Sequence, residues 1–166
     1  MSRVQSFQPI IDRQARVLIL GSMPGVQSLR EQQYYANPHN QFWRILYTLF
    51  SSPLDLDYSR RLKFIEDKGI ALWDVIAACN REGSLDTNIK NETVNDFPTL
   101  FNTCSNLTAV VFNGTKAYET YRKRVGFNLP NLIYKQLPST SPANTLGFAE
   151  KLKQWAIILS FLEGEG

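Results

Sequence analysis

The chain has 166 residues, of which 43% are hydrophobic, and its 18 Lys and Arg against 15 Asp and Glu give a net charge of +3. This composition predicts a globular protein and excludes a disordered one, and the length predicts one domain over residues 1–166. The charge permits an acidic partner such as nucleic acid without requiring one. No apolar run approaches the ~20 residues of a membrane helix, and no signal core is present. We therefore expect a cytoplasmic monomer, nucleoid-associated if bacterial, with no membrane contact.

The two cysteines, Cys79 and Cys104, are too few and too far apart for a four-ligand zinc or iron–sulfur site. Without a sign of export they are expected to be reduced core thiols. No other metal-ligand spacing occurs, so we expect neither a metal nor a cofactor.

Short apolar runs alternate with amphipathic segments along the chain. The runs predict strands at 16–20, 70–75, 108–113 and 131–137, and helical spacing predicts helices at 41–50, 59–69, 96–104, 115–126 and 146–164. Alternating strands and helices predict a three-layer α/β/α sandwich around a central, mostly parallel four-stranded sheet. The three tryptophans are expected in its core.

Polar and aromatic segments follow three of these strands. They are "GSMPG…YYANPHNQFW" from residue 21, "NGTKAYE" from residue 113 and "PSTSPANT" from residue 138. Ligands of such folds bind at the carboxyl ends of the strands, so these segments predict the site. Asp74, near the end of the second strand, is an acid or base candidate.

The sequence lacks the residues that several common catalytic and cofactor-binding sites require. His39 is the only histidine, and no Gly-x-Ser-x-Gly elbow accompanies it, which disfavours a hydrolase triad. Phosphate-cradling and dinucleotide motifs are also missing. Amides, hydroxyls and rings remain: serines and threonines suit phosphate contacts, Tyr34 and Tyr35 offer stacking faces, and Asn113 suits a base edge. Together they indicate a nucleobase pocket flanked by loops that grip a backbone.

Each residue also has a simpler interpretation. Asn40 could only cap the following helix, and Asn113 with Gly114 could form a turn. Residues 139–141 could be an ordinary turn, and the two tyrosines could pack at the surface. The basic clusters at 60–63 and 122–124 are typical of solvated helix faces.

The order "GSMPG", "YYANPHNQFW", "VVFNGTKAYE" and "LPSTSPAN" resembles the uracil-DNA glycosylase superfamily, in particular its hypoxanthine-DNA (deoxyinosine) glycosylases, over roughly residues 7 to 160. The resemblance implies a first loop at residues 21–25, a second loop at residues 139–144, and a wedge segment at residues 143–146 that fills the gap in the duplex. Asn40 and Asn113 become the catalytic amides. The implied base pocket comprises Gly21, Ser22, Met23, Pro24, Gly25, Tyr35, Phe112, Asn113 and Ser139. The implied DNA contacts are Ser22, Lys116, Ser139, Thr140, Ser141, Pro142, Ala143 and Asn144.

Two positions depart from the relatives that this pattern resembles. Met23 replaces an asparagine that positions water, and Ser139 replaces a histidine that opens the second loop of the uracil enzymes. The departures favour a purine-like substrate over uracil.

The resemblance implies a monofunctional DNA N-glycosylase of base excision repair that removes deaminated bases, hypoxanthine first and uracil second. In this hypothesis the Asn40 carbonyl orients the attacking water, and His39 is a bystander. A non-catalytic module for damaged or single-stranded nucleic acid, and a hydrolase of free nucleosides or nucleotides, are the alternatives.

Overall fold

The computed structural model describes residues 3–163. Its strands are β1 (Arg3–Gln5), β2 (Val17–Gly21), β3 (Ile70–Asp74), β4 (Ile76–Asn80), β5 (Lys90–Val94), β6 (Ala109–Asn113) and β7 (Ile133–Leu137). Its helices are α1 (Val26–Glu31), α2 (Phe42–Leu49), α3 (Tyr58–Asp67), α4 (Phe97–Thr103), α5 (Thr115–Arg124), α6 (Phe148–Trp155) and α7 (Ile157–Glu163). All four predicted strands and the first four predicted helices are therefore present, with small shifts at their ends.

The central sheet has the strand order β3-β2-β6-β7, and every neighbouring pair is parallel. Strand β2 is fully buried, because side chains that alternate along it enter two different cores. Val17 and Ile19 join the core under α2, α3, α6 and α7, whereas Leu18 and Leu20 join the core under α4 and α5. The predicted three-layer α/β/α sandwich is confirmed.

A second, antiparallel sheet of order β1-β4-β5 was not predicted. The chain passes from β3 into β4 through Val75 alone, so the apolar run at 70–75 hides a change of sheet. Strand β5 has the sequence Lys-Asn-Glu-Thr-Val, and its exposed polar residues give little apolar signal. This sheet lies beside the carboxyl end of β3 and carries the segment that follows β4 toward the site.

The single terminal helix expected at 146–164 is wrong, because Ala156 separates α6 from α7. The break lets α6 pack against α2 while α7 packs against β2. Residue 164 of that prediction lies outside the described residues.

All three tryptophans are buried, as expected, at 3% (Trp43), 8% (Trp73) and 0% (Trp155) exposure. Both cysteines are buried free thiols. No helix within residues 3–163 is long and apolar enough to cross a bilayer.

Candidate active site

A cleft of about 820 Å³ opens at the carboxyl ends of the central strands. Its wall combines the first loop, the end of β3, the start of α5 and the second loop. The predicted site residues that line it are Gly21, Ser22, Met23, Pro24, Gly25, Tyr35, Asn40, Asn113, Lys116, Ser139, Thr140, Ser141, Pro142, Ala143 and Asn144. Segments far apart in the chain are thus brought to the one edge where the alternating pattern placed the site.

Thr140 connects the two predicted catalytic amides. Its hydroxyl donates to Asn40 Oδ1 at 2.8 Å and accepts from Asn113 Nδ2 at 3.0 Å. Its backbone N–H donates to Asn113 Oδ1 at 2.9 Å. Because Thr140 is fully buried, this network is shielded from water and fixes which way both amides point.

Gln41 is the N-cap of α2, so the expectation that Asn40 caps this helix is wrong by one residue. Asn40 precedes the cap, and its Oδ1 accepts from the Phe42 N–H at 2.9 Å. Asn40 therefore supports the start of the helix and also lines the cleft. The two bonds occupy both acceptor positions of the Asn40 carbonyl oxygen. The expectation that this oxygen orients the water is wrong, because the free group of Asn40 is its Nδ2 donor.

The first loop is held by the segment that follows β4. The Ser22 hydroxyl donates to Asp86 Oδ1 at 2.6 Å, and Arg81 donates to the Pro24 carbonyl. Met23 is 7% exposed and packs with residues of β4, as expected of a packing residue. The loop is therefore a closed, preorganised wall of the cleft.

Tyr35 stacks on Phe42 with ring centroids 3.9 Å apart and 22° between the planes. Its hydroxyl is buried without a hydrogen-bond partner among residues 3–163. Burial, together with the nearby Asp74, raises its pKa. Tyr35 thus contributes a rigid, neutral ring to the cleft wall.

Asp74 lies beside Gly21 in the register of β2 and β3. It is 4% exposed, and burial with a contribution from Asp86 raises its pKa to about 7. A Cβ atom on Gly21 would stand 2.7 Å from Asp74 Oδ1 and 3.0 Å from the Tyr35 hydroxyl. Only glycine at position 21 leaves room for both groups beside the first loop, where both line the cleft.

A profile of the uracil DNA glycosylase superfamily matches residues 8–162. The chain belongs to this superfamily. A Methanosarcina barkeri protein named hypoxanthine DNA glycosylase is 40% identical over 155 residues, covering 92% of this chain and 95% of that protein. A Methanosarcina acetivorans protein of the same name is 37% identical over 157 residues, covering 93% and 96%.

A solution NMR structure of a candidate uracil DNA glycosylase from Methanosarcina acetivorans superposes with a TM-score of 0.84 at 36% identity. The match covers 98% of this chain and 99% of that one. The resemblance inferred from the four motifs is confirmed as membership of the uracil DNA glycosylase superfamily.

Three expectations about this glycosylase-superfamily site need correction. The Phe112 side chain does not line the cleft, because strand alternation turns it into the core under α5, where it contacts Tyr118 and Tyr121. Thr140 is fully buried, so its hydroxyl does not face a DNA backbone. Tyr34 is 3% exposed and donates to the Gln8 carbonyl, which removes it as a stacking face.

The sequence did not identify Arg81 and Asp86 as part of the site, and it did not show that Thr140 is central to it. Arg81 and Asp86 lie in "NREGSLD", a polar stretch whose charged residues could have been noted but whose partner, the first loop, lies about 60 residues away. The central place of Thr140 has no local signal, since the three hydroxyls at 139–141 look alike. His39 does not line this cleft, but it lines a neighbouring pocket together with Tyr35 and Asn40. Its interpretation as a bystander stays a prediction.

Proposed function

We propose that this protein hydrolyses the N-glycosidic bond of a deaminated purine, hypoxanthine foremost, after flipping the nucleotide out of DNA. The observation that carries the proposal is the Thr140 network, which presents two amide groups to a cleft in a member of the uracil DNA glycosylase superfamily. The names of the Methanosarcina relatives support hypoxanthine as the base.

The cleft suits a flipped nucleotide. Its volume of about 820 Å³ lies within the range of small-molecule sites. Flipping costs a few kcal/mol and favours weakly paired bases, such as deoxyinosine in a mispair. Pro142, Ala143 and Leu146 are exposed at the tip, where a wedge must enter the duplex. Ser139, Ser141 and Lys116 line the adjoining wall and are the proposed backbone contacts.

The two amides act as preorganised donors. Asn40 keeps both Nδ2 hydrogens free, because Thr140 and Phe42 use only its carbonyl oxygen. Asn113 donates to Thr140 through Nδ2, and its amide also lies close to the Tyr35 hydroxyl. Donors in a water-poor cleft stabilise negative charge that develops on a departing base. Neither amide is a base for water, so the glycosidic bond breaks largely before water attacks.

The described part of the cleft offers no lysine that is well suited to attack the sugar, which supports a hydrolytic, monofunctional reaction. Among the described residues, Lys116 is the lysine of the cleft wall, and its ammonium lies 3.9 Å from Glu92. A lysine whose ammonium is held in an ion pair is a poor nucleophile toward the sugar. The product is then an intact strand with an abasic site.

The test is a duplex with one deoxyinosine, incubated with the protein and then treated with hot alkali. We expect a strand break at the lesion only after alkali. Asn40→Ala and Asn113→Ala should each lower the rate by ~10²–10³, whereas His39→Ala should match the wild type. Tight binding without breakage would instead support a non-catalytic module, an alternative motivated by Met23 in the place of a water-positioning asparagine. Wild-type rates in both asparagine variants would overturn the site assignment.

A further inference from the structure

Asp74 is a carboxyl group of the cleft that the two-amide chemistry does not use. It ends β3, lines the cleft and is 4% exposed. No described residue donates a hydrogen bond to its side chain, and Oδ2 is sealed from solvent without a partner. By contrast, Asp86 accepts from Ser22, and Asp96 accepts from Thr99. A buried carboxyl group without donors is poorly stabilised as an anion.

The charged and titratable groups around Asp74 come from three segments. Asp86 approaches from the turn after β4, Arg81 from the end of β4, and Tyr34 and Tyr35 from the loop after α1. Burial is the largest effect on the pKa of Asp74, Asp86 raises it further, and Arg81 opposes them. The resulting pKa of about 7 leaves the group partly protonated at neutral pH.

The two asparagines can stabilise negative charge on a departing base but cannot give it a proton. An amide donates hydrogen bonds but transfers no proton near neutral pH, whereas a positioned carboxyl group with a pKa near 7 does. The other carboxyl groups of the cleft are less suited. Asp86 is bonded to Ser22, and the hydrogen bond from Arg122 lowers the pKa of Glu119.

We propose that Asp74 is the proton donor for the departing purine, a role that rests on the proposed function. The bond between sugar C1′ and the base nitrogen breaks, and its electron pair remains on the base. The base takes the Asp74 proton and leaves neutral. Water then adds to C1′, and its surplus proton returns to the Asp74 carboxylate. The net reaction is glycoside plus water to free base plus sugar hydroxyl.

The experiment measures single-turnover release of hypoxanthine from a deoxyinosine duplex between about pH 5.5 and about pH 8.5, the range over which a group with a pKa near 7 titrates. The wild-type rate should be level below about pH 7 and fall about tenfold per pH unit above it, as the acid form is lost. Asp74→Asn should be ~10²-fold slower at the acidic end. Its rate should not break near pH 7, because an amide has no proton to lose.

Asp86→Asn is a second variant, in which the break in the pH profile should move rather than disappear. The amide can still accept from Ser22 but removes the negative charge that raises the pKa of Asp74. The fall in rate should therefore begin at a lower pH than in the wild type. A structural role for Asp74 would not predict this shift.

The outcomes separate the two proposals. If the wild type releases no base at any pH, the proposed function fails. If it releases hypoxanthine and Asp74→Asn keeps the wild-type rate and pH profile, Asp74 is not the donor. Misfolding is checked by thermal unfolding at about pH 8, where the wild type bears the cost of an ionised buried carboxylate. Asp74→Asn lacks that cost and should unfold at the same temperature or higher.

Discussion

The two loops that border the cleft are built in opposite ways. The first loop is buried, and the segment after β4 binds both its Ser22 side chain and its Pro24 backbone. The second loop is buried only at its base, through Thr140, and becomes exposed from Pro142 onward. A closed wall suits chemistry that depends on fixed geometry, and an exposed tip suits contact with a large partner. Under the proposed function, this difference favours a reaction at the first loop and the base of the second loop, and DNA contact at the tip of the second loop.

Gly114 explains how the two parts meet. Its φ of +97° is a left-handed conformation, and a Cβ atom there would stand 3.0 Å from Ser139 Cβ. The absence of a side chain lets the second loop approach the end of β6. Thr140 can then hydrogen-bond directly to Asn113, which connects the second loop to the end of β6.

Removing the Thr140 hydroxyl is expected to have the largest effect. Thr140→Val keeps the shape but takes away the donor to Asn40 and the acceptor for Asn113. Both amides lose their fixed orientation, so the single-turnover rate should fall by ~10²-fold, as for loss of a preorganised donor. The matched control is Thr145→Val in the exposed wedge segment, which should retain the wild-type chemical rate. If both variants lost the same amount of activity, the base and the tip of the second loop would not have the different roles proposed for them.

Crowding the first loop should have an intermediate effect on stability. In Gly21→Ala the new methyl group would lie 2.7 Å from Asp74 Oδ1, so the surrounding wall must shift. Overpacking of this kind costs about 1–3 kcal/mol of unfolding free energy, measured by urea denaturation. Gly147→Ala has no heavy atom within 4 Å of its Cβ position, so it should cost only the weaker preference for alanine at the N-cap of α6, less than about 1 kcal/mol. Equal values for the two variants would mean that the first loop is not a closed wall.

Loosening the second loop should have the smallest effect of the three changes, and it should lower the affinity for DNA rather than the reaction rate. Lys151 is 1% exposed, and its ammonium donates to the carbonyls of Ser141 and Asn144 at 3.4 and 3.0 Å. Lys151→Met removes these donors, so the affinity for duplex DNA should fall by about tenfold, or about 1.4 kcal/mol. The rate at saturating protein should stay near wild type.

Lys153→Met, also on α6, removes an equal charge from the exposed side of that helix and is the control for Lys151→Met. It should bind DNA within about twofold of the wild type, since surface charges contribute little. A fall in the chemical rate of Lys151→Met with unchanged affinity would contradict the assignment of the tip to DNA contact.

Much of this arrangement could be predicted from the sequence because parallel strands place their following segments at one edge. The four strand runs and the polar segments after them were enough to bring Gly21, Asn113 and Ser139 together. The period of two along a strand could also have excluded Phe112, since its neighbour Asn113 faces the cleft.

What could not be predicted depends on contacts between distant segments. Nothing near Asn40 shows that Thr140, 100 residues later, fills its carbonyl oxygen and leaves its Nδ2 as the free group. Nor does "LWDV" show that Asp74 is buried without hydrogen-bond donors. Side-chain orientation and pKa are set by tertiary neighbours, so the free Nδ2 donor of Asn40 and the raised pKa of Asp74 have no signal in the local sequence.

The most direct test of the central claim is to identify the product released from a deoxyinosine duplex by mass spectrometry, with wild type and Thr140→Val in parallel. The account predicts free hypoxanthine and an unbroken strand bearing an abasic site, formed by the wild type and ~10²-fold more slowly by the variant. Release of hypoxanthine at equal rates by both proteins, or binding of the duplex with no base released, would contradict it.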